Sequence, residues 1–203
     1  MAKVIKYTDE DVQGFFVGSY FGDGCFIKKS NTHNTYVVFK HCESQKMYLE
    51  WKHNFLKRFW LVKSNGCIKE KKLVGCYNNA QKQFEFASKS CEELNKFKSK
   101  TKTELIQDFN EMALAVYALD DGGFHEHTCK ISCGVLSEEE RNTLRDVLLR
   151  KMSIECRIYN HKTNPSKDYF AFSGSNYDKL VDIILAKIPN DIDVIKNKIK
   201  RKV

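Results

Sequence analysis

Proline is scarce in this chain, two in 203 residues, and no two of its eight cysteines stand in CxxC spacing. No stretch approaches the roughly 18 to 20 consecutive apolar residues that a membrane span needs. The opening Met1-Ala2-Lys3-Val4-Ile5-Lys6 has no apolar segment behind its charges, so no secretory signal is expected. These absences exclude membrane-spanning helices and collagen-like repeats, and a chain this long needs no disulfides as staples. With 42% hydrophobic and 12% aromatic residues, disorder is excluded as well. The thiols are read as free and structural, in a reducing intracellular compartment, either cytoplasmic (bacterium or phage) or organellar. Arginine is also sparse: 6 of the 34 basic residues.

What is present begins with charge. Lys plus Arg number 34 against 26 acidic residues, a formal net charge of +8. That balance is compatible with nucleic acid, an anionic surface or an acidic partner, and selects none of them. One group has metal-ligand chemistry: His125, His127, Cys129 and Cys133. Zinc accepts those types. On an extended chain, however, the first three alternate along one face and form a row that does not converge on one ion.

The order of elements repeats. Thr8 is placed to cap a helix whose first turn carries Asp9, Glu10 and Asp11, and which ends at Asp23-Gly24. Strands are predicted near Cys25–Ser30 and Tyr36–Cys42, with a turn signal at Asn31–Asn34. Ser44 then caps a helix with Tyr48, Trp51, Phe55, Leu56 and Phe59 on one face. Strands near Cys67–Lys72 and Gln81–Ala87 and a short helix, Cys91–Lys98, close the half. Asn110 opens the second copy, whose helix ends at Asp120-Asp121-Gly122-Gly123. Strand material up to Val135, a capping box at Ser137–Glu140, strands Ile154–Tyr159 and Tyr169–Ser173, and a helix Asn176–Lys187 follow. Phe84-Glu85-Phe86-Ala87-Ser88 matches Phe170-Ala171-Phe172-Ser173-Gly174. Residues 1–97 and 110–203 are thus read as two halves joined by a linker, 98–109.

Gly14, Gly18 and Gly22 form an i, i+4, i+8 stripe in the first repeat helix, at about 1 kcal/mol each relative to alanine. Something must offset that loss, and close approach of a second helix does so. Ala118 and Gly122 offer the same spacing in the second copy. Packing the two helices together brings Asp23 and Asp121 close. Two carboxylates beside helix-end carbonyls are ligands suited to Mg²⁺ or Ca²⁺.

Phe16-Val17-Gly18-Ser19-Tyr20-Phe21-Gly22-Asp23-Gly24 and Leu114-Ala115-Val116-Tyr117-Ala118-Leu119-Asp120-Asp121-Gly122 resemble two copies of the motif of LAGLIDADG homing endonucleases in their single-chain form. The first copy keeps only Gly18, Asp23 and Gly24 literally, yet both final acids are present. The resemblance implies an α+β fold of tandem αββαββα repeats with pseudo-twofold symmetry. Two antiparallel four-stranded sheets would form a saddle over duplex DNA, with the motif helices packed at the centre. It implies metal-dependent cleavage across the minor groove that leaves four-base 3′ overhangs. Asp23 and Asp121 would be the metal-binding acids, with the carbonyls of Gly22 and Asp120 as further ligands. Mg²⁺ is the expected metal; Mn²⁺ would substitute, and Ca²⁺ would bind without supporting cleavage.

The same resemblance places catalytic basic residues at Lys98 (or Lys100) and at Lys196, with Lys198 as the alternative. It places a polar residue at the end of the second strand, Glu43 or Gln45. Outward strand residues would contact DNA. In the first half these are Lys28, Ser30, Asn34, Tyr36, Lys40, Lys69, Lys71 and Lys72. In the second they are His125, His127, Lys130, Arg157, His161, Lys162 and Lys167. Alternation allows only about half of any strand to face the duplex. Double-stranded DNA is the expected partner of a monomer, with host intron RNA a further partner. An RNA-binding maturase and a DNA-binding regulator are the alternative functions on this scaffold.

Overall fold

In a computed structural model, which describes residues 5–63, 65–71 and 82–199, Thr8 caps helix α1 (Asp9–Phe21) as its sequence predicts. Its hydroxyl accepts from the Asp11 amide at 3.2 Å, and the Asp11 carboxylate accepts from the Thr8 amide at 3.0 Å. This reciprocal box satisfies donors that a helix start otherwise leaves open. The chain divides into two compact units. The first comprises residues 1–22, 100–191 and 195–203, the second residues 23–99 and 192–194.

In the first unit α1 packs along α5 (Glu111–Asp121). The glycine stripe is what permits it. A Cβ on Gly14 would overlap the Asn110 side chain, and one on Gly18 the Ala113 backbone. A Cβ on Gly22 would lie 2.6 Å from Cβ of Asp120. The stripe is one-sided: Gly122 lies instead against the Ala118 carbonyl and the Phe124 ring. Glycines on α1 alone bring the backbones close enough. Asn110 caps α5, accepting from the Ala113 amide at 3.0 Å, and donates to the Glu10 carbonyl of α1 at 2.9 Å. At the same end Lys187 reaches Asp11 at 2.9 Å and Glu111 at 3.4 Å. Lys187 closes α7 (Ser175–Lys187), which also packs on α5.

From α5 the chain passes directly into β5 (Gly122–His125) and β6 (Thr128–Ser132). After α6 (Glu138–Met152) come β7 (Arg157–Tyr159) and β8 (Tyr169–Ser173). The antiparallel sheet has the order β5-β6-β8-β7. Cys129, Ile131, Phe170 and Phe172 turn inward and are fully buried. Each such apolar side chain contributes roughly 1.5–3 kcal/mol.

The second unit repeats the plan. β1 (Cys25–Ile27), β2 (Tyr36–Cys42), β3 (Lys69–Lys71) and β4 (Gln83–Ala87) form a sheet of order β1-β2-β4-β3. Helix α2 (Lys46–Arg58) covers β2 and β4. Val37, Phe39, Phe84 and Phe86 face inward, whereas Val38, beside Cys25 and Ala87, takes the open face. Tyr48, Trp51, Phe55 and Leu56 are buried as their spacing predicts. The short α3 (Lys96–Ser99) ends the longer segment of this unit.

Some local expectations are corrected. Ser44 does not cap α2; it lies in a 3₁₀ turn, Glu43–Gln45, and the helix starts without a side-chain cap. β1 is three residues long because the chain turns away at Lys28. The expected linker contains α4 (Lys102–Gln107), capped by a Thr101–Glu104 box. A final α8 (Asp193–Lys198) follows Pro189. The row His125–His127–Cys129 is broken by a two-residue hairpin turn, so that His125 pairs with Thr128. Both histidines are exposed while Cys129 and Cys133 are buried. Among the described residues no helix is long and apolar enough to cross a membrane.

Candidate functional site

The C-terminal ends of α1 and α5 lie side by side in the first unit, at Gly22 and Asp120. Both helices direct their final carbonyls toward this end, where partial negative charge accumulates. Asp120 is 9% exposed and packed against Gly22; Asp121, half-buried, lines a cleft of about 440 Å³. Tyr20, Phe21, Gly22, Lys102 and Ser132 complete most of its wall. Tyr117 donates to the Ser132 carbonyl at 2.5 Å. Burial, then the nearby Asp121 carboxylate, pushes its phenol well above the ordinary value of 10, so it stays neutral. Burial also raises Tyr20, with Glu140 adding to the effect.

Of the basic residues marked in the sequence, Lys98 and Lys196 are exposed, and Lys100 pairs with Asp108 at 3.5 Å. Lys198 is the one tied to α5. Its Nζ donates to the Leu119 carbonyl at 2.6 Å and the Gly122 carbonyl at 3.0 Å. An ammonium at a helix C-terminus is favourably placed. Lys102, which the sequence reading absorbed into the linker, lines the Asp121 cleft and donates to the Val135 carbonyl at 2.6 Å.

Asp23, the residue after Gly22, opens the second unit and is exposed. There the buried His41 ring places Nδ1 3.8 Å from the Asp23 carboxylate and 3.2 Å from Oε1 of Gln45. Gln45, one of the two polar residues expected at this strand end, thus bonds the ring that stands beside Asp23; Glu43 is exposed. Nothing in the sequence pattern marked His41, an inward position in an alternating strand.

The strands divide the predicted DNA contacts. Tyr36, Lys40, Lys69 and Lys71 lie on the open face of the β1–β4 sheet, and Lys72 lies outside the described residues. Glu85 sits among them, 3.0 Å from Lys71 and 3.9 Å from Lys40. Lys28, Ser30 and Asn34 belong to the β1–β2 connection. Ser30 Oγ lies 2.6 Å from His33 Nδ1, and Asn34 accepts from the Asn95 side chain at 3.0 Å. A groove of about 670 Å³ runs here between Lys29, Lys63 and Lys69. In the other sheet His125, Lys130 and Arg157 take the open face, beside a stacked Tyr159–Tyr169 pair that the pattern did not mark. His127 stands on the hairpin turn; His161, Lys162 and Lys167 stand on the β7–β8 loop.

The sequence signature of the LAGLIDADG DNA endonuclease family matches residues 13–180. Among solved structures, the fold is similar to that of the homing endonuclease I-WcaI bound to its DNA recognition sequence. That likeness has a TM-score of 0.74 and 16% identity, over 97% of this chain and 90% of that one. I-DmoI in complex with DNA and Mn is similar at TM-score 0.56 and 14% identity, over 87% and 97%. The LAGLIDADG homing endonuclease I-GzeII in complex with a DNA target is similar at TM-score 0.50 and 11% identity, over 96% and 88%. No curated protein sequence matches the chain.

Proposed function

The chain belongs to the LAGLIDADG DNA endonuclease family, and from that premise we propose that it is a site-specific homing endonuclease. It cuts both strands of a long pseudo-palindromic or asymmetric duplex across the minor groove and leaves four-base 3′ overhangs. The observation that carries this reading is the α1–α5 pair, packed through glycines, with acids at the helix ends.

Asp23 and Asp121, with the carbonyls of Gly22 and Asp120, are the residues that would hold a divalent metal. The donor set fits: carboxylate and carbonyl oxygens suit Mg²⁺ and Ca²⁺. Structures of I-DmoI with DNA were obtained with Mn and with Ca, and one of a substituted variant of it with Mg. When bound, the ion supplies Lewis-acid polarisation of the phosphate and a more acidic water. His41, held by Gln45, lies beside the Asp23 carboxylate. Lys198, the alternative to Lys196, holds an ammonium at the α5 end, where it offsets carbonyl charge. Lys98 and Lys196, both exposed, remain the basic residues proposed beside the metal site. The two repeats within one chain supply two unequal half-site readers, so a monomer suffices.

Linearisation of a plasmid carrying the chain's intron-less insertion locus, with Mg²⁺, tests the proposal. The native chain cuts, whereas Asp23→Asn and Asp121→Asn do not. Failure of intact native protein to cut refutes the nuclease reading; undiminished cutting by either variant refutes the metal assignment.

A further inference from the structure

The loop between β7 and β8, residues 160–168, is exposed over most of its length yet fastened at one buried point. Asp168 is 2% exposed, and its carboxylate pairs with the Arg141 guanidinium of α6, itself 8% exposed. The other carboxylate oxygen accepts from the His161 amide at 2.6 Å, and so closes the loop on itself. The Asp168 carbonyl accepts from the Cys133 amide at 2.9 Å. A second fastening is steric: a Cβ on Gly134 would stand 2.5 Å from carbon atoms of Ser166, so the 3₁₀ turn Pro165–Lys167 lies flat on that glycine. Asn164 accepts from the Ser166 amide at 3.1 Å and fixes the turn from within.

Burying an ion pair brings little net stability, because desolvation offsets most of the attraction. A hydrophobic pair would hold α6 to the sheet as well. What the ion pair adds is direction, since the carboxylate fixes both the guanidinium and the loop amide. Among the described residues the first repeat shows no counterpart. By the Phe84–Phe170 match its equivalent of Asp168 is Lys82, which is exposed and lies 3.3 Å from Glu70.

The register shows which end of the sheet this loop occupies. Gly122, entering β5 from α5, pairs with Ile131, and Ser132 pairs with Tyr169, the first residue of β8. The loop therefore opens at the end of the sheet where Asp121 sits, opposite to the β5–β6 turn. On it stand His161, Lys162 and Lys167, all exposed.

We propose that Arg141 and Asp168 are positioning residues that hold this loop as a preformed clamp on duplex phosphates at the cleavage end of the second repeat. The inference rests on the endonuclease reading. Phosphate contacts fix the register of a protein on its duplex, so a clamp with a set geometry places Asp121 relative to the backbone it acts on.

A double-mutant cycle on full-length protein tests it, with affinity measured for a duplex that the native chain selects from a randomised pool. In the native background, Lys162→Ala with Lys167→Ala should weaken binding roughly 10-fold or more and lower its salt dependence. In an Asp168→Asn background the same lysine changes should weaken it less than about 3-fold, because the loop no longer presents them. Gly134→Ala, which removes no charge, should mimic Asp168→Asn. Should Arg141 left alone unfold the chain, the paired Arg141→Met/Asp168→Leu variant takes its place, since apolar replacement of a buried pair preserves folding. Equal lysine effects in all backgrounds would overturn the inference and leave the pair a structural one. A native chain that selects no duplex would instead refute the DNA reading itself, and the clamp with it.

Discussion

Asp120 and Asp121 are neighbours in sequence with opposite surroundings. The first is packed against Gly22, while the second lines a cleft with Lys102 and Ser132. Other single residues are equally decided by their setting. Burial pushes the thiols of Cys129 and Cys156 up to about 12 and that of Cys133 up to about 11. The thiolate is the reactive form. A thiol-specific reagent at pH 8 should therefore modify the exposed Cys25 and Cys67 within minutes and leave these three unmodified until the chain unfolds, as mass spectrometry of the peptides would show. The Asp11–Lys187 pair gives a second expectation. Burial alone would raise Asp11, but the Lys187 ammonium and the Thr8 hydrogen bonds outweigh it and hold the carboxyl below 3.8. Burial alone would lower Lys187, and bonds to Asp11 and Glu111 hold it above 10.5. The stability from Asp11 is thus present above pH 3.8 and lost as pH falls through its lowered value. That from Lys187 is present below pH 10.5 and lost as pH rises through its raised value. Urea midpoints of the native chain should exceed those of Asp11→Asn/Lys187→Met between these limits and converge with them beyond.

At the scale of elements, the contact between α1 and α5 is set by absent side chains. Gly18→Val should destabilise the chain by about 1–3 kcal/mol, through overlap with the Ala113 backbone and strain along the helix pair. Urea unfolding measures this, and a change near zero would mean that the helices can separate without loss. Elements announced by local chemistry were legible in the sequence. Thr8, Asn110 and Ser137 each cap the helix expected of them, and β2 and β8 begin and end where alternation places them. Thr101 and Glu104 carry the same capping signature, yet the basic run around them reads as a linker. His127 shows the opposite error: period-two spacing survives across a hairpin turn that the pattern does not announce. Contacts distant in sequence left no local signal. Arg141 and Asp168 are joined by topology alone, as are His41 and Asp23.

For the whole molecule, a net charge of +8 spread over 203 residues was uninformative by itself. Distribution gives it meaning. Lys69, Lys71, Lys130 and Arg157 stand on open sheet faces, whereas Glu138, Glu139 and Glu140 start α6. The repeated fold was legible because one pattern occurs twice; the contact of Lys198 with the end of α5 was not, since only folding brings its ammonium to the Leu119 and Gly122 carbonyls. On the proposed reading, the acids ending the two motif helices hold the metal with which the chain cuts duplex DNA. Sequencing the product ends after native chain and Mg²⁺ act on a randomised duplex pool tests it most directly. The native chain should open one family of asymmetric targets with four-base 3′ overhangs, and Asp121→Asn should open none while still retaining those duplexes. Folded native protein that binds duplex and opens none, or an Asp121→Asn variant that opens the same targets, would contradict it.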